Sequence, residues 1–444
     1  MQRPSPAPST AIRPSACPGL LRIVASRDGG ICRIKLPGGR LDAVAARVIA
    51  AAAERHADGV LEATNRANLQ IRGVHAGAEA ALSADLLAAG LGPRVAAADD
   101  VRNLLLSPAA GIDPAMQRDV TPLAQRLLDL LQDNPRFHAL SAKFALQLDG
   151  GESLAMLEHP HDLWLSAMDE GRFAFGLAGC PPIHADDQPA LAAVATEQVP
   201  ALVEALLNLF LDLSGEGQAR MRQLLETTPA ERLLEQLDVP LQRGAAVGNW
   251  RRQPVQPFAQ LGVRPQRQPG SCSIGAGFVL GRLDSRLLRA LADLAEREGD
   301  GSLRLTPWQG VLLPNIPNER ADAVLAALAD LGLTISAEQP LSRLIACSGS
   351  TGCARGLADT KGDALRLAER LQAPLPTGVH LCGCPRSCAA AHVAPFTLLA
   401  VADGRYDLFR RANSVAGFGQ PLARNLSLDA AADRLRDPGV IPDA

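Results

Sequence analysis

Four cysteines near the C-terminus have a spacing that could support chemistry. Cys347 and Cys353 form a C-x5-C pair, and Cys384 and Cys388 form a C-x3-C pair further along the chain. Four thiolates can hold either a tetrahedral zinc ion or a [4Fe–4S] cluster. Structural zinc sites usually combine two tight C-x2–4-C pairs, so the wide first pair favours the cluster. The spacing therefore predicts a [4Fe–4S] cluster on these four residues.

One of the four ligand positions has a competitor. Cys382 lies two residues before Cys384 and could replace it. Cys384 is the preferred ligand because a C-x3-C pair brings both sulfurs to one face of a single turn. Two other interpretations stay open: zinc on the same four thiolates, and inert buried cysteines that hold no metal.

The residues that follow Cys353 and Cys388 have the pattern of helices. The sequence predicts one helix from Ala354 to Leu371 and a second helix that begins at Ala389. The first amides of a helix are unpaired and its dipole is positive at that end, so both helices would stabilise an anionic cluster. We therefore expect two helix N-termini beside the cysteines.

The bulk composition indicates a large globular protein. Of the 444 residues, 47% are hydrophobic and 20% are charged. A chain of this length suggests about two to four domains. A formal net charge of −3 argues against a nucleic-acid partner, because binding to a phosphate backbone needs a large basic excess. A local basic pocket for a small acidic ligand remains compatible with this charge.

No segment has the character of a membrane span or a signal peptide. The longest apolar stretch, 202–213, contains Glu204 and Asp212 and is shorter than the ~20 apolar residues that a span needs. The first 16 residues are rich in Pro and Ser, which predicts a disordered lead-in. Five of the nine cysteines fall within 347–388, a clustering that favours metal ligation over secreted disulfides. We expect a cytoplasmic protein without a membrane partner.

A weak internal repeat at an offset of 242 residues organises the chain. Gly39-Arg40-Leu41 aligns with Gly281-Arg282-Leu283, and no gap is needed over about sixty residues. Each copy predicts the order strand, helix, strand, turn, strand, helix. The sequence divides into a disordered lead-in (1–16), a first ferredoxin-like repeat (17–95), a middle α/β domain (96–245), a linker (246–271), a second ferredoxin-like repeat (272–337) and a cluster-binding α/β domain (338–444).

The two cysteine pairs and the repeated halves resemble the sulfite/nitrite reductase superfamily from Cys17 to about Asp407. The resemblance implies an α+β fold with two ferredoxin-like half-repeats and two α/β domains. In that superfamily the two cysteine pairs bind the cluster, and the last cysteine, Cys388 here, bridges to the iron of sirohaem. Within it, the segments 16–20 and 380–389 resemble most the precorrin-3B synthase family.

The resemblance also implies residues that bind a ligand. The segment 64–70 matches a hairpin whose arginine contacts an anionic ligand, which indicates Arg66. The segment 102–104 matches an Arg-Asn-Val stretch, which indicates Arg102. The segment 141–145 matches an element that supplies two lysines to the anion site. Lys143 is retained, but Ala145 replaces the second lysine, which weakens a site for a small anion.

The implied activity is an oxygen-dependent monooxygenase that converts precorrin-3A to precorrin-3B by macrocycle hydroxylation and lactone formation in aerobic cobalamin biosynthesis. The implied cofactors are the [4Fe–4S] cluster and a mononuclear non-haem iron, with NADH as the ultimate reductant. Precorrin-3A and dioxygen would be the substrates, and an electron-donor protein would be a partner. The chain has no 2-His-1-carboxylate spacing, so the ligands of that iron and the catalytic residues are not assigned.

Two competing functions stay open. The first is a sirohaem-dependent assimilatory sulfite or nitrite reductase, against which Ala145 and the short chain count. The second is a binding module without redox activity, in which zinc occupies the four cysteines.

Overall fold

The computed structural model of the protein describes residues 17–437 apart from 372, 374, 376 and 413–416. The predicted disordered lead-in, 1–16, lies outside the described residues, as does the segment 438–444. Within the part of the chain that is described, no helix is long and apolar enough to cross a lipid bilayer.

The first half-repeat contains five strands and two helices. Its third strand is the motif Arg40-Leu41-Asp42, and the Asp42 carboxylate accepts a hydrogen bond from the Ala45 amide (2.7 Å). This bond caps the helix that follows. The elements are β1 (Val24–Ser26), β2 (Gly29–Ile34), β3 (Arg40–Asp42), α1 (Ala43–His56), β4 (Val60–Ala63), β5 (Leu69–Val74) and α2 (Glu79–Ala88).

The middle domain is a five-stranded mixed sheet covered by helices. Its strand order is β10-β9-β8-β7-β6, in which the pairs β6–β7 and β7–β8 are parallel and the other pairs are antiparallel. The elements are β6 (Leu104–Leu105), α3 (Thr121–Asp133), β7 (Leu146–Asp149), β8 (His161–Ala167), β9 (Arg172–Gly179), β10 (Ala192–Ala195), α4 (Val199–Leu213), α5 (Met221–Leu224), α6 (Ala230–Leu234) and α7 (Ala245–Gly248).

The second half-repeat reproduces the first at the predicted offset. Its motif Arg282-Leu283-Asp284 is again a strand, and Asp284 caps the next helix through the Leu287 amide (2.8 Å). The elements are β11 (Gly262–Pro265), β12 (Ser271–Gly277), β13 (Arg282–Asp284), α8 (Ser285–Glu298), β14 (Ser302–Thr306), β15 (Gly310–Pro317) and α9 (Ala321–Asp330). The strand β11 lies inside the segment that the sequence predicted as a linker.

The two half-repeats exchange a strand. The sheet orders are β1-β2-β5-β4-β13 and β11-β12-β15-β14-β3, so β3 completes the second sheet and β13 completes the first. Helix α1 packs on α8, and one hydrophobic core runs through both copies. The repeat and the predicted α+β class are therefore confirmed, and the half-repeats form one body.

The C-terminal domain has the same strand pairing as the middle domain. Its sheet order is β16-β17-β18-β19-β20, with two parallel pairs followed by two antiparallel pairs. The elements are β16 (Leu344–Ala346), α10 (Gly349–Gly352), α11 (Thr360–Leu371), β17 (Val379–Cys382), β18 (Phe396–Ala402), β19 (Arg405–Arg410), β20 (Gln420–Ser427) and α12 (Leu428–Arg436).

The segment before the second half-repeat packs closely on the middle domain. Arg252 is 4% exposed and forms two hydrogen bonds with the Asp149 carboxylate (2.7 and 3.0 Å). Its amide also donates to the carbonyl of Pro182 (2.7 Å). The segment is thus a strap held across the surface of the protein.

Candidate functional site

The two cysteine pairs follow neighbouring parallel strands. Cys347 comes directly after β16, and Cys384 follows β17. Because the carboxyl ends of paired parallel strands lie at the same edge of a sheet, the two loops meet there. The Gly383 amide donates to the Cys347 sulfur at 3.1 Å. A backbone N–H at this position would stabilise a thiolate.

The four predicted ligands influence one another electrostatically. Burial of the thiol raises the pKa of Cys388, and the neighbouring thiols of Cys384, Cys347 and Cys353 raise it further. Because Cys388 as a whole is exposed, the neighbouring thiols are the more informative of these two causes. The four thiols are therefore neighbours, although within the described residues no three of them are placed to hold a single metal ion. A cubane cluster carries each cysteine on a different iron, so this donor set suits an iron–sulfur cluster better than a single ion.

The competing cysteine has different surroundings. Cys382 is buried as the last residue of β17, and its sulfur donates to the carbonyl of Cys384 (2.8 Å). Burial raises the pKa of Cys382 to about 12. A ligand must lose its proton, so this arrangement favours Cys384 over Cys382.

The helix predicted to begin at Ala389 is absent, and the helix predicted from Ala354 to Leu371 begins later than expected but ends at Leu371. Cys353 is the C-terminal cap of the short helix α10, and the long helix α11 begins only at Thr360. The residues after Cys388 form turns instead of a helix. The segment 354–359 is a loop because the Gly349 backbone lies against Ala358 and Thr360, and the Ser350 amide donates to the Ala358 carbonyl (2.8 Å). Cys353 and Cys388 therefore do not lie at the N-termini of long helices, whose dipoles were expected to stabilise an anionic cluster.

The hairpin that carries Arg66 touches the second cysteine loop. The Thr64 hydroxyl accepts hydrogen bonds from the amides of Arg66 (3.3 Å) and Asn68 (3.1 Å), and Ala67 has φ +55° at the tip. The Asn65 side chain donates to the carbonyl of Cys388 (3.4 Å). The sequence predicted this hairpin correctly, and the fold places its tip beside the cysteines.

A small cavity lies behind this hairpin. It has about 10 Å³ of free space, which is the room of about one water molecule. A carboxylate group is larger than this space, and neither it nor a macrocycle fits unless the lining residues move. The lining residues are Arg66, Asn68, Arg102, Asn103, Leu104, Leu105, Ala145 and His161.

Two of the three predicted ligand-binding cations line the cavity. Burial lowers the pKa of Arg66 to about 10, and within the described residues no carboxylate forms an ion pair with it. Arg102 is buried, lies 3.7 Å from the Asp99 carboxylate and donates to the Leu91 carbonyl (3.3 Å). Burial also lowers the pKa of Arg102.

The third predicted cation lies elsewhere. Lys143 is exposed in a turn before β7. It is absent from the described lining of the cavity, but Ala145 is present there. The amide of Ala145 donates to the Asp162 carboxylate (2.9 Å), which holds this part of the wall.

The sequence analysis missed a buried lysine near the same site. Lys35 is 3% exposed, and its ammonium group has no hydrogen-bond partner among the described residues. Burial lowers the pKa of Lys35 to about 7. The repeat contains a signal for this residue, because Arg33 and Lys35 correspond to Gly275 and Gly277 in the second copy. Basic residues that appear in one copy alone indicate a site in that copy.

Three histidines lie beside this site. His161 lines the cavity, and burial lowers its pKa to about 3. The rings of His159 and His392 are 5.1 Å apart, and His392 lies 3.6 Å from the Glu158 carboxylate. Across the residues that the structure describes, no three His, Cys, Asp or Glu side chains are placed to bind a single metal ion. The structure therefore assigns no ligands to a mononuclear iron.

Comparison with known proteins agrees with this architecture. The nitrite/sulfite reductase ferredoxin-like half domain matches residues 24–89 and 264–331. The nitrite and sulphite reductase 4Fe-4S domain matches residues 97–244. This second match contains one cysteine, Cys180, and the four candidate ligands lie C-terminal to it. It therefore supports a [4Fe–4S] cluster without assigning its ligands.

Individual proteins with similar sequences or structures support the same family. The chloroplastic ferredoxin–nitrite reductase of Zea mays is 33% identical over 82% of this chain and 68% of its own length. The precorrin-3B synthase of a Sinorhizobium species is 27% identical over 89% of this chain and 82% of its own length. The structure of Mycobacterium tuberculosis NirA has a TM-score of 0.74 at 24% identity and covers 91% of this chain and 79% of that one, which supports the fold.

The two half-repeats, the doubled sheet domains and the cysteine loops define an iron–sulfur oxidoreductase architecture. The chain belongs to the nitrite and sulfite reductase family, whose members are oxidoreductases. It spans 64% to 68% of the length of the plant nitrite reductases that it matches.

Proposed function

We propose that this chain is an oxygen-dependent monooxygenase that hydroxylates precorrin-3A to precorrin-3B. The observation that carries the proposal is Ala145, which lines the cavity where the family motif has its second lysine. Lys143 is exposed in a turn, so the site has lost the pair of lysines that a small-anion reductase would use. Similarity to the Sinorhizobium precorrin-3B synthase over most of both chains supports the same assignment.

The remaining cations suit a polycarboxylate ligand. Arg66 and Arg102 share one cavity, and Arg66 has no ion-pair partner among the described residues. A guanidinium binds a carboxylate through two parallel hydrogen bonds, which fixes the orientation of the ligand. An acetate or propionate arm is larger than the water-sized cavity, so the lining would open to admit it while the macrocycle stays outside. His161 lies in the same wall and is neutral at pH 7, since burial lowers its pKa to about 3.

We assign the [4Fe–4S] cluster to Cys347, Cys353, Cys384 and Cys388. When bound, the cluster would supply single electrons to the site. The protein's part is to hold the four thiolates, and the Gly383 amide stabilises one of them through its bond to the Cys347 sulfur. NADH is the proposed ultimate reductant, and an electron-donor protein would connect it to the cluster. The described side chains do not fit the mononuclear iron, so the proposal includes no step on that metal.

One observation favours a second candidate, a sirohaem-dependent sulfite or nitrite reductase. The maize nitrite reductase is more similar to this chain in sequence than the precorrin-3B synthase is. In this candidate Cys388, which is exposed beside the hairpin of Arg66, would bridge to the haem iron.

Product analysis tests the proposal. The anaerobically purified protein is reduced with NADH and a ferredoxin-type donor and then mixed with precorrin-3A and ¹⁸O-labelled dioxygen. We expect a product that has gained one labelled oxygen atom. In a parallel reaction, nitrite or sulfite replaces precorrin-3A, and we expect no turnover.

The absorption spectrum separates the alternatives. A broad band at roughly 400 nm is expected for a cluster alone. Sharp Soret and long-wavelength bands, together with nitrite or sulfite turnover and no labelled product, would establish the reductase instead. A colourless protein that contains zinc would leave only the binding module.

A further inference from the structure

A cluster of five buried or half-buried charges joins the first half-repeat to the first cysteine loop. We call it the Glu62 cluster, and its members come from three parts of the fold. Glu62 lies on β4, Arg72 on β5, Arg282 on β13 and Lys361 on α11, and Asp28 lies in the turn between β1 and β2. None of these residues is a candidate cluster ligand or one of the three predicted ligand-binding cations.

The contacts within the Glu62 cluster centre on one carboxylate. Arg72 binds Asp28 through two hydrogen bonds (2.8 and 2.9 Å) and Glu62 through a third (3.3 Å). The other Glu62 oxygen accepts from Arg282 (3.0 Å) and lies 3.6 Å from the Lys361 ammonium. Three cations thus surround two carboxylates, which leaves one net positive charge.

Burial makes this arrangement costly. Arg72 is 4% exposed, and Glu62 and Lys361 are also buried. Removing charges from water is costly, and such pairs often stabilise a protein no better than apolar residues would. A contribution to stability alone therefore does not account for the group, and its contacts indicate a second role.

Those contacts fix the backbone on both sides of the C-x5-C loop. Arg72 donates to the carbonyl of Gly352, the residue before Cys353 (2.9 Å), and Ser26 donates to the same carbonyl (2.5 Å). Lys361 donates to the carbonyl of Leu280 and makes a longer contact with the carbonyl of Ala346, the residue before Cys347 (3.4 Å). Each cysteine of the pair therefore follows a carbonyl that a buried cation of the Glu62 cluster contacts.

The acidic side of the Glu62 cluster also contacts this loop. The Ser348 hydroxyl, one residue after Cys347, donates to Glu62 (3.2 Å). The charges of the Glu62 cluster contact residues next to Cys347 and Cys353, and in a site of low dielectric such fixed charges act on a redox group held by these cysteines. A net positive charge favours the more negative, reduced state of the cofactor.

We propose that Arg72 and Glu62 are positioning residues that hold the Cys347–Cys353 loop and set the reduction potential of its iron–sulfur cluster with opposite signs. This inference rests on the proposed [4Fe–4S] cluster and does not depend on which substrate the enzyme uses.

The test measures the potential of the holoprotein by a redox titration followed by electron paramagnetic resonance. Arg72→Gln removes a cation, so the potential should shift to more negative values. Glu62→Gln removes an anion, so the potential should shift to more positive values. Arg72→Lys keeps the charge and should stay close to the wild-type potential.

Arg27 provides a matched control on the same loop. It donates to the Ser350 carbonyl (2.8 Å) but is exposed to solvent. Water and salt screen its charge, so Arg27→Gln should leave the potential unchanged. Equal shifts in the Arg27 and Arg72 variants would overturn the proposal, as would shifts of one sign for Arg72→Gln and Glu62→Gln.

The remaining outcomes are also decisive. If Arg72→Gln loses the cofactor, Glu62→Gln and Arg72→Lys carry the test, and an unshifted Glu62→Gln potential would refute the role. A wild-type protein without an iron–sulfur signal would remove both the cofactor assignment and this inference. A wild-type signal without oxygenase activity would remove only the proposed function.

Discussion

At the scale of single residues, Cys382 and Cys384 show how two cysteines two positions apart can differ in chemistry. Cys382 ends a strand, is buried and donates to a backbone carbonyl. Cys384 is half-buried in the loop beside the other thiols. The backbone thus directs one sulfur into the domain and leaves the other available as a ligand.

The first prediction follows from this difference. Cys384→Ser should abolish the broad absorption near roughly 400 nm in anaerobically purified protein, because a cubane cluster needs its fourth thiolate. Cys382→Ser should retain the absorption and the iron content, and it serves as the matched control. Loss of the band in Cys382→Ser with retention in Cys384→Ser would move the ligand to Cys382.

Lys35 is the second residue whose surroundings determine its chemistry. Burial lowers its pKa to about 7, whereas an unfolded lysine has a pKa of about 10.5. Between these values the unfolded chain binds more protons than the folded protein, so stability rises with pH across this window. Below pH 7 the charged side chain is buried without a hydrogen-bond partner among the described residues. The free-energy cost of burying this charge then reduces the stability of the folded protein in full.

Lys35→Met should therefore stabilise the protein, and more so at pH 6 than at pH 9. The dependence is about 1.4 kcal/mol per pH unit over about two units, so the gain should differ by roughly 2–3 kcal/mol. Urea unfolding at both pH values measures the difference. Lys143→Met, at an exposed lysine, is the control and should show no such pH dependence. An identical gain at both pH values would show that Lys35 is not titrating.

At the scale of elements, the strap before the second half-repeat is held by a buried ion pair. Arg252 and Asp149 form two hydrogen bonds, and both side chains are nearly inaccessible. Arg252 also donates to the Glu152 carbonyl (2.5 Å), and Ser166 donates to Asp149. This arrangement ties the strap to β7 and to the loop that follows it.

Arg252→Met should destabilise the protein by about 3–5 kcal/mol, because it leaves the Asp149 carboxylate buried without its cation. Its neighbour Arg251 supplies the control. Arg251 donates to the carbonyls of His184, Gly248 and Trp250 and forms no ion pair among the described residues. Arg251→Met should cost less than Arg252→Met, because water can replace the hydrogen bonds of a partly exposed arginine and no charge is left buried. Equal losses in urea unfolding would contradict the importance of the buried pair.

At the scale of the whole molecule, the sequence predicts those parts of the fold that local patterns encode. The repeat predicts the order strand, helix, strand, turn, strand, helix, and both copies contain it, but the short strands Arg40–Asp42 and Arg282–Asp284 were not predicted. The exchange of β3 and β13 between sheets was not predictable, because a strand's pattern does not specify its partner. For the same reason, the alternation around Arg33 and Lys35 predicts a polar face but does not show that this face lines a site.

In the candidate site, too, the sequence predicts the features that local patterns encode and misses those that depend on tertiary contacts. The spacing of the cysteines and the hairpin motif directs attention to residues that the fold does bring together, since Asn65 beside Arg66 contacts the Cys388 carbonyl. The position of Lys143 depends on how the chain enters β7, and no local pattern specifies that. The helix predicted after Cys353 begins only at Thr360 because tertiary contacts hold the segment before it as a loop.

The exchange of strands makes the two half-repeats mutually dependent, and Gly39 tests this dependence. Gly39 has φ +68°, and a Cβ atom there would lie 2.1 Å from the Leu305 carbonyl oxygen on β14 of the other half-repeat. Gly39→Ala should cost at least about 3 kcal/mol, because β14 cannot move away without opening the shared core. Both half-repeats should then unfold in one transition at a lower urea concentration.

Gly77 supplies the control for this substitution. It has φ +86°, and no described atom beyond its chain neighbours lies within 4 Å of the place that a Cβ atom would take. Gly77→Ala therefore measures backbone strain alone, which costs about 1 kcal/mol. Equal losses for the two variants, or separate unfolding transitions in Gly39→Ala, would mean that the half-repeats are independent.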